Sequence, residues 1–200
     1  MAQQPPFSRS LHAWLKSDRD KTLAGLSQAF GEKSFAIIFL ILMALPALPI
    51  PTGGVTHVTE LMTALLSLEL IAGRKLVWLP RRWLKFNVSK LLSAKAIDRL
   101  VSVVKWFERF SRRRWSGLLV RTEVLSVLGL VILIFTIAAF VAPPFSGLDT
   151  LPALGVVVIA LALILEDSLF VGAGIILGIV GIGLEIAAGT ALYSGLTHFF

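Results

Sequence analysis

The sequence predicts an all-α integral membrane protein: two helical-hairpin-like repeats with Pro/Gly-broken helices, joined by a basic amphipathic helical linker. Three observations predict it. The 200-residue chain is 56% hydrophobic and 16% charged, with a mean hydropathy of +0.84, whereas soluble domains carry about 25% charged residues. Long uncharged apolar runs recur along it, as membrane spans require. All 19 Lys and Arg residues lie between Arg9 and Arg121, so the first 121 residues carry a net +12 and the last 79 carry −5. With no cysteine, disulfide frameworks, thiolate metal sites and cysteine nucleophiles are excluded.

Residues 1–33 read as a cytoplasmic N-terminal helical segment. Charges recur through it and no apolar h-region follows a basic start, so it is not a signal peptide. Leu11, Trp14 and Leu15 form the apolar side of one short helix. Residues 22–30 suggest a second, ended by Gly31.

Residues 34–73 form the first membrane hairpin. Residues 34–50 are uncharged, and as a helix would reach about 25 Å. Pro46, Pro49 and Gly53 break that helix, because proline lacks an amide donor and opposes helix continuation. Residues 55–73 return.

Residues 74–121 hold 14 basic side chains. Leu92, Ala96, Leu100, Val103, Val104, Phe107 and Phe110 recur at helical spacing, with Trp83, Trp106 and Trp115 at or near the ends. This describes a basic amphipathic cytoplasmic linker suited to an anionic leaflet.

Residues 122–200 form a second membrane region with two or three apolar helices. Residues 124–142 are a clear span, broken by Pro143, Pro144 and Gly147. Residues 152–165 reach only about 21 Å as a helix, so they either cross with local mismatch or re-enter. Residues 168–190 are long enough to cross, with Glu185 their only charge. Basic flanks place the N-terminus inside. Five crossings put the C-terminus outside; re-entry of 152–165 returns it inside. A 94-residue shift of 34–74 places Pro49 on Pro143, Gly53 on Gly147 and Thr56 on Thr150, a weak internal repeat of the kind transporters contain.

Polar groups at membrane depth should face protein or water. Thr56, Glu60, Thr63, Ser67 and Arg74 fall within roughly 60° on one helix, with His57 adjacent. They make a polar path centred on Glu60, or helix-packing contacts. Glu69 points the other way, near the interface. Gly174, Gly178, Gly181, Glu185 and Gly189 align on the last helix, where small residues allow close approach. Glu166 and Asp167 form an interfacial pair. His12, His57 and His198 are too scattered for a metal motif, and no GxSxG, P-loop or dinucleotide fingerprint occurs. No catalytic residue, metal ligand or cofactor is therefore expected. The pI near 10.3 does not imply nucleic acid, because the basic residues flank apolar runs.

Several local motifs then combine. They are Gly31-Glu32-Lys33-Ser34-Phe35, Ala44-Leu45-Pro46-Ala47-Leu48-Pro49 running to Gly53, and Gly73-Arg74 followed by Trp78-Leu79-Pro80. Glu108-Arg109 precedes the cluster Arg112, Arg113 and Arg114. Pro143 to Gly147, Leu151-Pro152-Ala153-Leu154 and Asp167 complete the set. Over residues 7–190 this combination resembles the ExoD family of bacterial membrane proteins, linked to exopolysaccharide synthesis. Ser168 and Ser111 depart from the pattern, where glycine and proline are expected. The resemblance implies a multi-pass inner-membrane protein of exopolysaccharide production, more in keeping with an accessory than an enzyme. The alternative is a small transporter or flippase for lipid-linked sugar, ions or protons. The expected partners are membrane lipid and either a lipid-linked saccharide or other polysaccharide-synthesis proteins.

Overall fold

The computed structural model describes residues 6–17, 22–48, 55–74, 77–78, 94–112, 116–119, 121–143 and 146–199. It is all-helical, with no strand among the described residues. The helices are α1 (Phe7–Lys16), α2 (Leu23–Phe30), a 3₁₀ turn (Gly31–Lys33), α3 (Ser34–Met43), α4 (Val55–Ile71), α5 (Ala94–Phe110), α6 (Ser116–Leu119), α7 (Thr122–Val141), α8 (Thr150–Leu165) and α9 (Ser168–Phe199). Two segments are long and apolar enough to cross a membrane, Thr122–Val141 and Ser168–Ala191. Of the expected break residues, Pro49, Gly53 and Pro144 lie outside the described residues, as do Leu92, Trp83 and Trp115 of the linker.

Local chemistry sets the helix ends. Thr22 caps α2 by accepting the Gly25 amide at 3.1 Å, and Gly31 closes it at φ +55. Helix α3 stops at Met43, earlier than residue 50, because Pro46 has no amide to donate and disfavours helical backbone before it. Ala142 takes an extended conformation (ψ 136) ahead of Pro143 and so ends α7. Pro152 is tolerated in the first turn of α8, where its missing amide has no intrahelical partner to lose.

Helices α4 and α8 end alike. Gly73 lies at φ +72 and Glu166 at φ 57. The next amide then reaches back to cap an orphan carbonyl: Arg74 N–H to Glu69 O at 3.1 Å, and Asp167 N–H to Ala162 O at 3.0 Å. This is the Schellman closure, with glutamate at one of the two left-handed positions.

Five apolar helices pack antiparallel. The starts of α3 and α7 and the ends of α4 and α8 share one end, termed proximal. There Lys33 Nζ meets Glu166 at 2.7 Å, and Ser126 donates to Leu70 O at 3.4 Å. Helix α3 packs on α8, α8 on α7 and α9, and α7 on α4. Every residue of α3 is buried, as is most of α8. These two shortest apolar helices are the core, and α4, α7 and α9 sheathe them.

The packing of α9 on α8 and α7 depends on glycine. A Cβ on Gly174 would press into Ile159 and the Gly155 carbonyl; one on Gly178 would enter the Phe135 ring; one on Gly181 would meet Pro152. Gly189, aligned with them in sequence, would meet nothing within 4 Å, so the small-residue seam ends at Gly181. Gly178→Ala is expected to destabilise the detergent-solubilised protein by about 1–3 kcal/mol through overpacking. Gly183→Ala, whose Cβ enters open space, is expected to be neutral or to stabilise by up to about 1 kcal/mol. Thermal unfolding of the two variants checks the contrast.

Candidate functional site

Helix α4 is inside out. Its polar face is buried: Thr56, Thr59, Glu60, Thr63 and Ser67 are all at most 6% exposed. Its opposite face shows Val58, Leu61, Leu65 and Leu68, each about 39% exposed or more. The exposed apolar surface continues on α7 through Val127, Leu130, Ile134 and Ile137, and on α9 through Ile176, Ile179 and Val180. Contiguous exposed apolar surface is rare on soluble monomers, whereas lipid tolerates it and demands that polar groups turn inward.

The buried hydroxyls mostly bond their own helix. Thr59 Oγ1 donates to Thr56 O, Thr63 Oγ1 to Thr59 O and Ser67 Oγ to Thr63 O, each at 2.8 Å. That part of the stripe packs against neighbouring helices. Arg74 does not belong to it: it lies beyond the end of α4, exposed, with its guanidinium 5.1 Å from the Trp78 ring centre. Glu69, on the other side, accepts the Trp78 amide at 2.7 Å and holds the chain leaving α4.

The distal end of the stripe differs. His57 Nδ1 lies 3.0 Å from Glu60 Oε2 and its ring packs edge-on against Phe140. Glu60 is 1% exposed, and its Oε1 has no hydrogen-bond partner among the described residues. Asp149, at the start of α8, lies within electrostatic reach of His57, Glu60 and Glu185. Burial lifts the Asp149 carboxyl above its ordinary value, and the amides of Asp149 and Thr150 pull it partly back. The Glu185 Oε1 and Thr150 Oγ1 atoms are also buried without a partner among the described residues. The structure thus gathers Glu60 and Glu185, 125 residues apart in sequence, around Asp149. Sequence periodicity does not reveal Asp149 or Thr150, because they sit at a loop–helix junction. The described residues form no group of three or more side chains able to hold a metal ion.

At the proximal end, carboxylates act as clamps. Glu108 accepts the Ser8 amide at 2.8 Å and the Ser8 hydroxyl at 2.5 Å, tying α1 to α5. Asp167 accepts the Arg112 amide at 2.8 Å and the Ser111 hydroxyl at 3.3 Å, and caps α9 through the Leu169 amide at 3.1 Å. Glu166 pairs with Lys33, whose ammonium also donates to Ile164 O at 3.0 Å. On α5, Val104 faces the protein, while Val103, Trp106 and Phe110 are exposed beside Arg99, Lys105 and Arg109. Phe107 packs against Phe170 of α9 at 5.0 Å, so the exposed apolar strip of α5 adjoins the apolar sheath.

Three comparisons with known proteins bear on the family. An uncharacterized protein of Synechocystis sp. is 29% identical over 168 residues, covering 83% of this chain and 78% of the relative. Protein ExoD of Rhizobium meliloti is 26% identical over 208 residues, covering 98% and 84%. No solved structure matches. Residues 7–187 match the family model described as "Exopolysaccharide synthesis, ExoD", and the chain belongs to the ExoD family.

Proposed function

We propose that the protein acts in exopolysaccharide synthesis as a multi-pass inner-membrane component with an accessory, non-catalytic role and a cytoplasmic N-terminus. Membership of the ExoD family carries the link to the polymer. The inverted polarity of α4 supports burial of α4, α7 and α9 in lipid. The engagement of Glu69, Glu108, Glu166 and Asp167 in clamping described segments supports a scaffold. The basic proximal end, with Lys33, Arg74, Arg112 and Arg121, fits the cytoplasmic leaflet. On this reading α3, α4, α7, α8 and α9 are five legs, and α8 returns to the proximal end rather than re-entering. The alike endings of α4 and α8, with the pairings α3–α8 and α7–α4, support two related hairpins, 34–73 and 122–165.

The distal cluster favours a second reading, a small transporter or flippase for lipid-linked sugar, ions or protons. A buried carboxylate with an open oxygen, next to a histidine and near two other carboxyls, is the kind of group that takes up a proton or cation inside a membrane protein.

Two measurements separate these readings. The chain has no cysteine, so single-cysteine variants can be labelled directly with an impermeant maleimide. Ser146→Cys is expected to react in intact spheroplasts and Arg99→Cys only after permeabilisation; the reverse pattern would invert the orientation. In liposomes, the scaffold reading expects no proton or lipid-linked sugar movement above protein-free vesicles, with polymer production in cells intact for Glu60→Gln. Flux that vanishes in Glu60→Gln, together with at least tenfold loss of polymer, establishes the transport reading instead.

A further inference from the structure

A cavity of about 390 Å³ opens at the proximal end, where four apolar helices meet. This lies within the roughly 300–1,000 Å³ range of small-ligand pockets. Its walls are apolar, built from Phe30, Phe35, Leu70, Leu119, Leu125 and Leu163. Its charged lining is Lys33, Arg74 and Glu166, a net of one positive charge. We infer that this cavity binds an amphiphile with a net-anionic phosphate head, with the phosphate held between Lys33 and Arg74 and the start of its hydrocarbon chain against the leucine and phenylalanine walls.

Three features point to that chemistry. The Lys33 ammonium has three donors, and Glu166 and Ile164 O take two of them. Arg74 lines the same cavity, positioned by the left-handed Gly73 and by stacking on Trp78. Helix α7 meets the cavity at Thr122 with no side chain capping its N-terminus, so its first amides and the helix dipole favour an anion there. A soluble anion would leave most of the apolar wall uncovered, while an apolar chain alone would leave the cations unused. An amphiphile satisfies both, and the exposed Trp78, stacked against the lining residue Arg74, suits the lipid headgroup level.

The inference rests on the membrane reading above, and the test keeps the two apart. Full-length protein is purified in detergent, and native mass spectrometry measures retention of three probes: phosphatidylglycerol, a polyprenyl phosphate and phosphatidylcholine, with inorganic phosphate as competitor. The expected result is preferential retention of one or both monoanionic or dianionic probes over phosphatidylcholine, unaffected by millimolar inorganic phosphate. Stronger retention of the polyprenyl probe identifies a lipid-linked intermediate as the source, and stronger retention of phosphatidylglycerol identifies the bulk bilayer. Arg74→Gln should weaken retention about fivefold, the worth of one cation at a lipid surface. Leu163→Trp, which fills the cavity, should abolish it, while Arg99→Gln on α5 should not change it. Equal retention of phosphatidylcholine, displacement by inorganic phosphate, or indifference to both Arg74→Gln and Leu163→Trp would overturn the inference. Recovery of the protein dispersed without detergent would instead overturn the membrane reading.

Discussion

The proposed membrane location rests on one constraint: the surroundings must suit both the exposed apolar faces of α4, α7 and α9 and the buried polar face of α4. Helix α4 makes this visible, because hydroxyls and Glu60 turn toward α3 and α7 while valine and leucine face out. In water both faces would be unfavourable. Each exposed leucine would forgo about 1.5–3 kcal/mol of burial, and each buried hydroxyl would need a partner it could have had from solvent. In hydrocarbon both placements become the favourable ones. The threonines and Ser67 meet the remaining demand by bonding to carbonyls one turn back, which needs no second helix.

With lipid in the role of solvent, as proposed, the burial of the shortest helices follows. A ten-residue helix such as α3 is about 15 Å long, too short to span a bilayer against lipid at both ends. Surrounded by protein, its backbone ends can be met by neighbours, and its length is no longer constrained. At the proximal end the Lys33 ammonium, just ahead of α3, donates to Ile164 O in the last turn of α8 and pairs with Glu166. Helix α8 uses the complementary device: glycine on α9 lets two backbones approach until Gly155 and Gly174 nearly touch. Association inside a membrane relies on such close packing, because lipid and leucine are equally apolar.

Much of the fold is legible in the sequence for local reasons. Pro46 and Pro143 act on their own neighbours, and Gly31 ends α2 through its own backbone, so their consequences need no tertiary knowledge. The polar stripe of α4 is legible because period 3.6 places Thr56, Glu60, Thr63 and Ser67 together, and the structure buries all four. Thr59 also faces inward but lies off that narrow stripe. What stays hidden is long-range. Nothing near Glu166 announces a left-handed backbone, since the Lys33 that meets it lies 133 positions away. Gly155 gains its role only from what α9 places against it. Asp149 joins Glu60 and Glu185 through the packing of three separate helices. On α5 the helical spacing of the apolar residues does not distinguish Val104, which faces protein, from Val103, which does not.

The clamps are unevenly placed. Ser8–Glu108, Lys33–Glu166 and Arg112–Asp167 all gather at the proximal end and fasten the N-terminal helices, the linker and the last two apolar helices to one another. At the opposite end the described contacts are fewer: a histidine edge on Phe140, and carboxyl oxygens without donors. A body riveted at one end and loosely closed at the other is stiff like the sprung end of a peg. The Glu60 oxygen without a partner among the described residues thus sits at the end that these clamps leave unfastened.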